Sequence, residues 1–260
     1  MSKDKKVYGY DGHLAMFLAV MCYQAYQMSE DKTFTLPKGY SLKSPIPSVS
    51  GEIFGFIAES AEHVVVVFRG TATLKNVTSY LDIPQITYPF VKNSGKTHRG
   101  ITRIYSAARG IILTVLKRIS SEKKLLVTGH SLGACLATLF TLDAAANTKF
   151  RNPILYTFAT LPIGNTEFVR RFFKEVKNSV RIVNVYDSVT NHVTPLLFRK
   201  EPLMNMPAGK EVQLKFENCS VRLNHKITCY FYQLSKLYPK FAKEMCKKNP
   251  AFCPDPSICF

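Results

Sequence analysis

The sequence predicts an α/β fold, with a mostly parallel central sheet and helices on both faces of the sheet. Apolar runs of strand length at 63–69, 153–158 and 180–186 alternate with longer segments of helical character. Such alternation is typical of βαβ units, which bury parallel strands between two layers of helices. A turn at 127–133 joins a further apolar strand directly to an apolar helix.

Each predicted element rests on a local pattern. The apolar stretch Leu14–Tyr26 is interrupted by Gln24 and is too short to span a bilayer, so we expect a helix packed on the sheet. Four consecutive valines at 64–67 indicate a strand buried on both faces. The polar, proline-containing segment 199–215 is interpreted as an excursion over the surface. The full order is helix 11–29, strands 52–58 and 63–69, helix 100–119, a strand and a helix around 127–133, strand 153–158, helix 165–177 and strand 180–186.

The turn Gly129-His130-Ser131-Leu132-Gly133 is the most informative motif. Its glycines stand two residues before and after the serine, where a sharp strand-to-helix turn leaves no room for a Cβ atom. This turn raises the serine hydroxyl above the sheet and directs the backbone N–H of Leu132 towards any negative charge that develops there. Ser131 is therefore a candidate nucleophile, and its plainer interpretation is a helix-capping serine.

A serine nucleophile needs a base and a carboxylate that orients the base, and on this type of sheet the acid precedes the histidine in the chain. Three aspartates follow the serine. Asp143 falls in the helix that begins at the serine, and Asp255 falls near the C-terminus. Asp187 directly follows the strand-like run 180–186, so it should lie at the carboxyl end of a strand, where sites on open α/β sheets are found.

Two histidines follow Asp187. His192 belongs to the same loop as the aspartate and is too near in sequence to reach across to the serine. His225 follows a further strand-like stretch, Glu211–Phe216, and fits the expected order. His225 is therefore the predicted base, although a lone histidine is more often structural.

The other half of an oxyanion hole should come from a loop after an earlier strand. The valine-rich strand ends abruptly at Arg69-Gly70-Thr71. Gly70 lets the backbone turn, and Thr71 offers both an N–H and a hydroxyl as donors. An ordinary strand end is the alternative interpretation.

Six short stretches occur together in one order and spacing. They are Val-Phe-Arg-Gly-Thr at 67–71, His-Arg-Gly-Ile at 98–101, Val-Thr-Gly-His-Ser-Leu-Gly at 127–133, Leu-Tyr-Thr-Phe at 155–158, Arg-Ile-Val-Asn-Val-Tyr-Asp at 181–187 and Asn-His-Lys-Ile at 224–227. In their order and spacing, from about residue 11 to about residue 235, the chain resembles the class 3 lipases. The resemblance implies an α/β-hydrolase fold and hydrolysis of lipid esters through Ser131, Asp187 and His225. It also implies oxyanion donors at Thr71 and Leu132.

The sequence departs from the family pattern in two segments. A lid-like segment lies near 72–84, where Val77 and Tyr80 occupy positions that often hold tryptophan and aspartate in the family, and the chain contains no tryptophan. The loop after Asp187 is less rich in proline than in the family, and His192 within it either lines an acyl site or caps the loop. The changed lid segment leaves a second hypothesis open, a lipase-like protein that binds membranes or a partner without turnover. A phospholipase A-type activity is a further alternative.

Composition predicts one domain and a basic surface. With 260 residues, of which 46% are hydrophobic, residues 1–240 are expected to form one catalytic domain, followed by a tail rich in cysteine, proline and lysine at 241–260. The net charge is +17, but no basic stripe with interleaved aromatics indicates nucleic acid binding. A cationic surface instead favours peripheral contact with anionic membranes. The sequence leaves the oligomeric state open.

The seven cysteines do not suggest a metal site, since no paired Cys-x-x-Cys pattern is present. Cys219 and Cys229 bracket His225, so a disulfide between them would constrain the loop that carries the predicted base. No metal or cofactor is expected. Three lysines near the N-terminus loosely imitate a secretory signal, but no clean cleavage site follows, and secreted and cytoplasmic locations both remain open.

Overall fold

The computed structural model describes residues 9–30, 34–47, 51–71, 84–190 and 209–255. The strands in this part of the chain are β1 (Ser41–Pro47), β2 (Ile53–Glu59), β3 (His63–Phe68), β4 (Gln85–Thr87), β5 (Lys96–His98), β6 (Lys124–His130), β7 (Ile154–Phe158), β8 (Asn178–Asn184) and β9 (Lys210–Leu214). The helices are α1 (Gly12–Ser29), α2 (Arg99–Lys117), α3 (Leu132–Asn147), α4 (Thr166–Glu175), α5 (Val221–His225), α6 (Ile227–Leu237) and α7 (Pro239–Lys248).

The central sheet has seven strands in the order β1-β2-β3-β6-β7-β8-β9. Strands β3, β6, β7, β8 and β9 are parallel, and β1 and β2 add an antiparallel edge. Strands β4 and β5 form a separate two-stranded sheet. The predicted mostly parallel sheet is confirmed, and the bounds predicted for its strands and for the helices packed on it agree with the structure to within two residues.

The four valines of β3 show why the sheet is covered on both faces. All four are fully buried, and successive side chains of a strand point to opposite faces. Val64 and Val66 contribute to the core beneath α2, α3 and α4. Val65 and Val67 contribute to the second core, which α1, α6 and α7 cover. A strand between two apolar layers must be apolar at every position, as the valine run is.

Helix α1 packs on the sheet as predicted. Asp11 caps its N-terminus by accepting hydrogen bonds from the backbone N–H groups of His13 (2.9 Å) and Leu14 (3.1 Å). Its buried face contacts β2, β3 and β6 and also helix α6. In the described ranges, no helix is long and apolar enough to cross a bilayer.

The surface excursion predicted for 199–215 is wrong for its last part. Residues Lys210–Leu214 form β9, which pairs in parallel with β8 and extends the sheet. The stretch Glu211–Phe216 had strand character in the sequence, and its alternating exposure is that of an edge strand. The earlier part, 199–208, lies outside the described residues.

Residues 241–255 do not form a separate tail. Helix α7 contributes the buried Met245 to the core, and Phe252 beyond it is fully buried. A disulfide between Cys246 and Cys253 closes this turn. The bridge considered between Cys219 and Cys229 is absent: Cys219 is exposed, whereas Cys229 is buried and remains a thiol.

Candidate active site

Ser131 lies at the turn between β6 and α3 in a strained backbone conformation. Its φ of 57° and ψ of −125° are rarely adopted by residues with a side chain, and such strain concentrates at functional turns. The two flanking glycines make the turn sterically possible. A Cβ atom on Gly129 would lie 2.2 Å from the carbonyl oxygen of Gly133, and one on Gly133 would lie 2.4 Å from the carbonyl oxygen of Phe68.

The structure brings the three predicted catalytic side chains into one hydrogen-bonded chain. His225 Nε2 lies 2.8 Å from Ser131 Oγ, and His225 Nδ1 lies 2.7 Å from Asp187 Oδ2. All three residues are buried. Serine and aspartate follow the carboxyl ends of β6 and β8, and the histidine ends α5. A serine, an imidazole and a carboxylate in this order can activate the serine hydroxyl for attack.

Two further donors hold the carboxylate of Asp187 in place. The backbone N–H of Val189 donates to Oδ1 at 3.0 Å, and the hydroxyl of Tyr230 donates to Oδ2 at 3.1 Å. The same hydroxyl accepts a hydrogen bond from the backbone N–H of Asn184 at 3.1 Å. Burial, followed by the neighbouring Asp187 charge, raises the pKa of Tyr230, so the hydroxyl stays a donor. The carboxylate oxygens are thus both fixed, which fixes the imidazole that they orient.

Two asparagines tie the loop after β8 to helix α5. Asn184 Nδ2 donates to the backbone carbonyl of Asn224 at 3.1 Å. In return, Asn224 Nδ2 donates to the carbonyl of Tyr186 at 3.2 Å. These bonds flank Asp187 and His225 in sequence, so the acid and the base are held together through the backbone as well as through their side chains.

The predicted oxyanion donors lie on the two elements that flank the serine. Leu132 begins helix α3, so its backbone N–H is one of the first four that have no acceptor within the helix. Thr71 follows Gly70, whose position is so close to the serine that a Cβ atom there would lie 2.9 Å from the Cβ of Ser131. Residues 72–83, including most of the lid-like segment and its Val77 and Tyr80, lie outside the described residues.

Arg69 anchors the loop that carries Thr71, a role that sequence reasoning missed. Its side chain is only 1% exposed and forms an ion pair with Glu52. Its Nε donates to the carbonyl of Ile53 at 2.8 Å, and its Nη1 donates to the carbonyl of Gly70 at 2.6 Å. A planar guanidinium can bridge several acceptors at once, which suits it to fixing a backbone turn.

Asp143 stands apart from this site. Asp143 is fully buried on α3, where it accepts hydrogen bonds from Tyr105 Oη and from Arg109 Nε, both at 2.5 Å. Asp255 follows the C-terminal disulfide and His192 lies outside the described residues. Among the described residues, no group of three or more histidine, cysteine, aspartate or glutamate side chains could hold a metal ion.

A serine on a strained strand-to-helix turn, above the carboxyl edge of a mostly parallel sheet, defines the α/β hydrolases as a class. Within that class, the sequence profile of the family Lipase (class 3) matches residues 65–197, just over half of the chain. The chain belongs to this family, as its six motifs predicted.

Known relatives agree with this assignment. The lipase of Rhizomucor miehei is 30% identical over 146 residues, covering 54% of this chain and 40% of the relative. Phospholipase A1-II 1 of rice (Oryza sativa) is 27% identical over 175 residues, covering 54% of this chain and 44% of the relative. The chain thus spans about half or less of the curated relatives it matches.

Solved lipase structures share the fold. The native Rhizomucor miehei lipase propeptide complex superposes with a TM-score of 0.65 at 19% identity, covering 82% of this chain and 70% of that chain. A triacylglycerol lipase from Penicillium expansum superposes with a TM-score of 0.62 at 22% identity, covering 79% of this chain and 81% of that one.

Proposed function

We propose that this protein hydrolyses carboxylic esters of lipids, with Ser131 as nucleophile, His225 as general base and Asp187 as the residue that orients the base. The observation that carries the proposal is the pair of short contacts at His225, 2.8 Å to the serine hydroxyl and 2.7 Å to the carboxylate. Both lie within the range at which a base can take a proton from a nucleophile. Membership of the class 3 lipase family supports the same chemistry.

In the first half-reaction, Ser131 Oγ attacks the carbonyl carbon of the ester while His225 Nε2 takes the hydroxyl proton. The electron pair of the C=O π bond moves to the carbonyl oxygen, and we assign the backbone N–H of Leu132 and the donors of Thr71 to stabilising this oxyanion. Removal of one such donor typically lowers kcat by about a hundredfold to a thousandfold. The tetrahedral intermediate then expels the alcohol, which leaves with the proton from His225.

In the second half-reaction, water attacks the acyl-serine ester. His225 takes a proton from the water, and the same donors hold the second oxyanion. Collapse of this intermediate releases the fatty acid and returns the proton to Ser131 Oγ. The carboxylate of Asp187 stabilises the imidazolium that forms twice in each cycle.

The names of the relatives favour two kinds of lipid substrate. Triacylglycerols are favoured by the match to a secreted alkaline triacylglycerol lipase of Penicillium cyclopium, which is 27% identical over 153 residues. Phospholipids are favoured by the rice phospholipases A1-II, one of which matches 231 residues at 27% identity. We place triacylglycerol first and phospholipid, cleaved in the manner of a phospholipase A, second. Release of fatty acid from trioleoylglycerol and from phosphatidylcholine, compared at equal ester concentration, ranks them.

A fluorophosphonate probe tests turnover directly, because it reacts with an activated serine. We expect the wild-type protein to be labelled and to hydrolyse a soluble short-chain ester, and Ser131→Ala to do neither. A folded wild-type protein that takes no label would refute the proposal and favour a lipase-like binding protein.

We further propose that the charge of +17 directs the protein to anionic lipid surfaces. Attraction of this kind weakens with salt, as the Debye length falls from about 10 Å at 0.1 M to about 3 Å at 1 M. Hydrolysis of anionic vesicles should therefore fall with salt far more than hydrolysis of neutral vesicles or of a soluble ester. An identical response of all three substrates would leave solubility as the role of the charge.

A further inference from the structure

A line of three hydrogen bonds runs behind Ser131. The backbone N–H of Gly70 donates to Tyr26 Oη at 2.9 Å. Tyr26 Oη lies 2.8 Å from His130 Nδ1, and His130 Nε2 lies 2.7 Å from the backbone carbonyl oxygen of His225. The line therefore joins the loop that carries the proposed oxyanion donor Thr71 to the proposed base.

The donors and acceptors along this line can be arranged in only one direction. A carbonyl oxygen cannot donate, so His130 Nε2 must carry the proton that binds the carbonyl of His225. With that proton on Nε2, neutral His130 presents a bare Nδ1, which accepts from the Tyr26 hydroxyl. The Tyr26 oxygen is then left to accept from Gly70. Each polar group has one assigned role, and none can reverse without breaking its neighbour's bond.

The surroundings keep both side chains in these neutral states. Burial, followed by the positive charge that His225 can acquire, holds the pKa of His130 well below its usual value. Burial raises the pKa of Tyr26, so its hydroxyl keeps the proton that it donates. The His130 and His225 rings lie 5.0 Å apart between centroids. A neutral His130 at this distance adds no like charge when His225 becomes an imidazolium.

We propose that Tyr26 and His130 are positioning residues, which set the distance from His225 to Ser131 and tie it to the placement of the oxyanion loop. His225 is the last residue of α5, so no N–H group of that helix donates to its backbone carbonyl. The N–H of His130 Nε2 donates to this carbonyl instead. His130 also directly precedes the nucleophile on β6, so one residue fixes both partners of the proton transfer. This inference rests on the proposed function for its kinetic consequence.

Four variants test the proposal. His130→Gln keeps an N–H at the reach of Nε2 and can still bind the His225 carbonyl, whereas His130→Asn can reach only the Tyr26 side. Tyr26→Phe deletes the hydroxyl and keeps the ring. Tyr156→Phe is the matched control, because the Tyr156 hydroxyl accepts a backbone N–H from Asp11 at 2.8 Å at the other end of α1.

The expected kinetic result on a soluble ester is a fall in kcat with KM changed by less than about twofold, since the residues act on reacting groups and not on substrate binding. His130→Asn should lose about a hundredfold, as small misplacements of catalytic groups do, and Tyr26→Phe about tenfold. His130→Gln should lose no more than Tyr26→Phe, since both break the Tyr26–His130 bond and both keep a donor for the His225 carbonyl. Tyr156→Phe should retain nearly all of kcat. A role in packing alone would lower the unfolding midpoint of all four without this order in kcat.

Crystal structures of the variants supply a readout that does not depend on turnover. The contact between Ser131 Oγ and His225 Nε2, 2.8 Å in the wild type, should open beyond hydrogen-bonding distance in His130→Asn and stay closed in His130→Gln. Retention of that contact in His130→Asn, together with equal kcat for Tyr26→Phe and Tyr156→Phe, would overturn the proposal. If the wild-type protein took no fluorophosphonate label, the proposed ester hydrolysis would be refuted instead. The distance from Ser131 Oγ to His225 Nε2 in the variants would still decide whether His130 positions His225.

Discussion

Asp187 and Asp143 are both fully buried, but we expect their replacement by asparagine to have different effects. Asp187→Asn should lower activity with little loss of stability, and Asp143→Asn should lower stability with little loss of activity. Around Asp187 the donors are the backbone N–H of Val189, the Tyr230 hydroxyl and the His225 ring. Of these, only the backbone N–H cannot change its role. It should hold the amide oxygen of Asp187→Asn at the Oδ1 position and place the NH₂ group against His225 Nδ1.

That arrangement forces His225 into the tautomer with its proton on Nε2, which cannot accept the serine proton. We expect Asp187→Asn to lower kcat on the order of ten-thousandfold, the loss that follows when a triad aspartate is replaced in this way. The partners of Asp187 other than His225 are neutral donors, so the free energy of unfolding should fall by only about 1 kcal/mol.

Asp143→Asn should show the reverse. The variant removes the negative charge that pairs with Arg109. It also places an NH₂ group where Arg109 and Asn147 now donate hydrogen bonds, and Asn147 Nδ2 lies 2.6 Å from Asp143 Oδ1. Breaking a buried ion pair from one side costs about 3–5 kcal/mol, and the partly exposed Arg109 favours the lower end. For a chain of this size, the thermal midpoint should drop by about 10 °C. Activity per folded molecule should remain close to that of the wild type.

The assay measures kcat on a soluble ester and thermal unfolding by circular dichroism for both variants, with kcat taken well below either midpoint. Comparable losses of kcat in both variants would show that assigning the acid by chain order was mistaken. A stable Asp143→Asn protein would show that its ion pair contributes little.

Three further outcomes are expected. Ser131→Ala should lower kcat by about a millionfold while the circular dichroism spectrum stays unchanged, and a residual activity near that of the wild type would contradict its role as nucleophile. Gly133→Ala should yield little folded protein in solubility and unfolding assays, because its Cβ would press on backbone oxygen atoms; a normal yield with full activity would show that the turn can relax. Replacing Cys246 and Cys253 by serine should lower the free energy of unfolding in urea by about 2–3 kcal/mol, from the entropy of the small loop that they close, and an unchanged midpoint would disprove this contribution.

Sequence patterns predicted what is local or ordered along the chain. The glycines around Ser131 indicate the turn because steric crowding acts between near neighbours. Chain order then left Asp187 and His225 as its partners. In the structure, His225 lies within hydrogen-bonding distance of both Asp187 and Ser131. The motif also contained His130, but nothing local showed which groups its two ring nitrogens contact.

What the sequence could not show are contacts between distant segments and strands without a strand pattern. Tyr26 and His130 lie 104 residues apart in sequence, and only the packing of α1 on the sheet brings them together. Strand β1 contains Pro45 and Pro47, which disfavour strands in general but are tolerated at a sheet edge. Helix α7 was not predicted, because the cysteine, proline and lysine content of 241–260 is also typical of a solvent-exposed tail.

The packing of α1 has a consequence for synthesis on the ribosome. One side of the helix contacts β2 and β3, which emerge soon after it, whereas another contacts α6, roughly 200 residues later. Gln24 of α1 also donates to the carbonyl of Phe252 at 2.6 Å. At about 5–20 residues per second, part of the apolar surface of α1 therefore waits on the order of 10–40 s for its partner. That surface stays exposed on the nascent chain throughout this interval, and this half of the core cannot be completed before α6 has been synthesised.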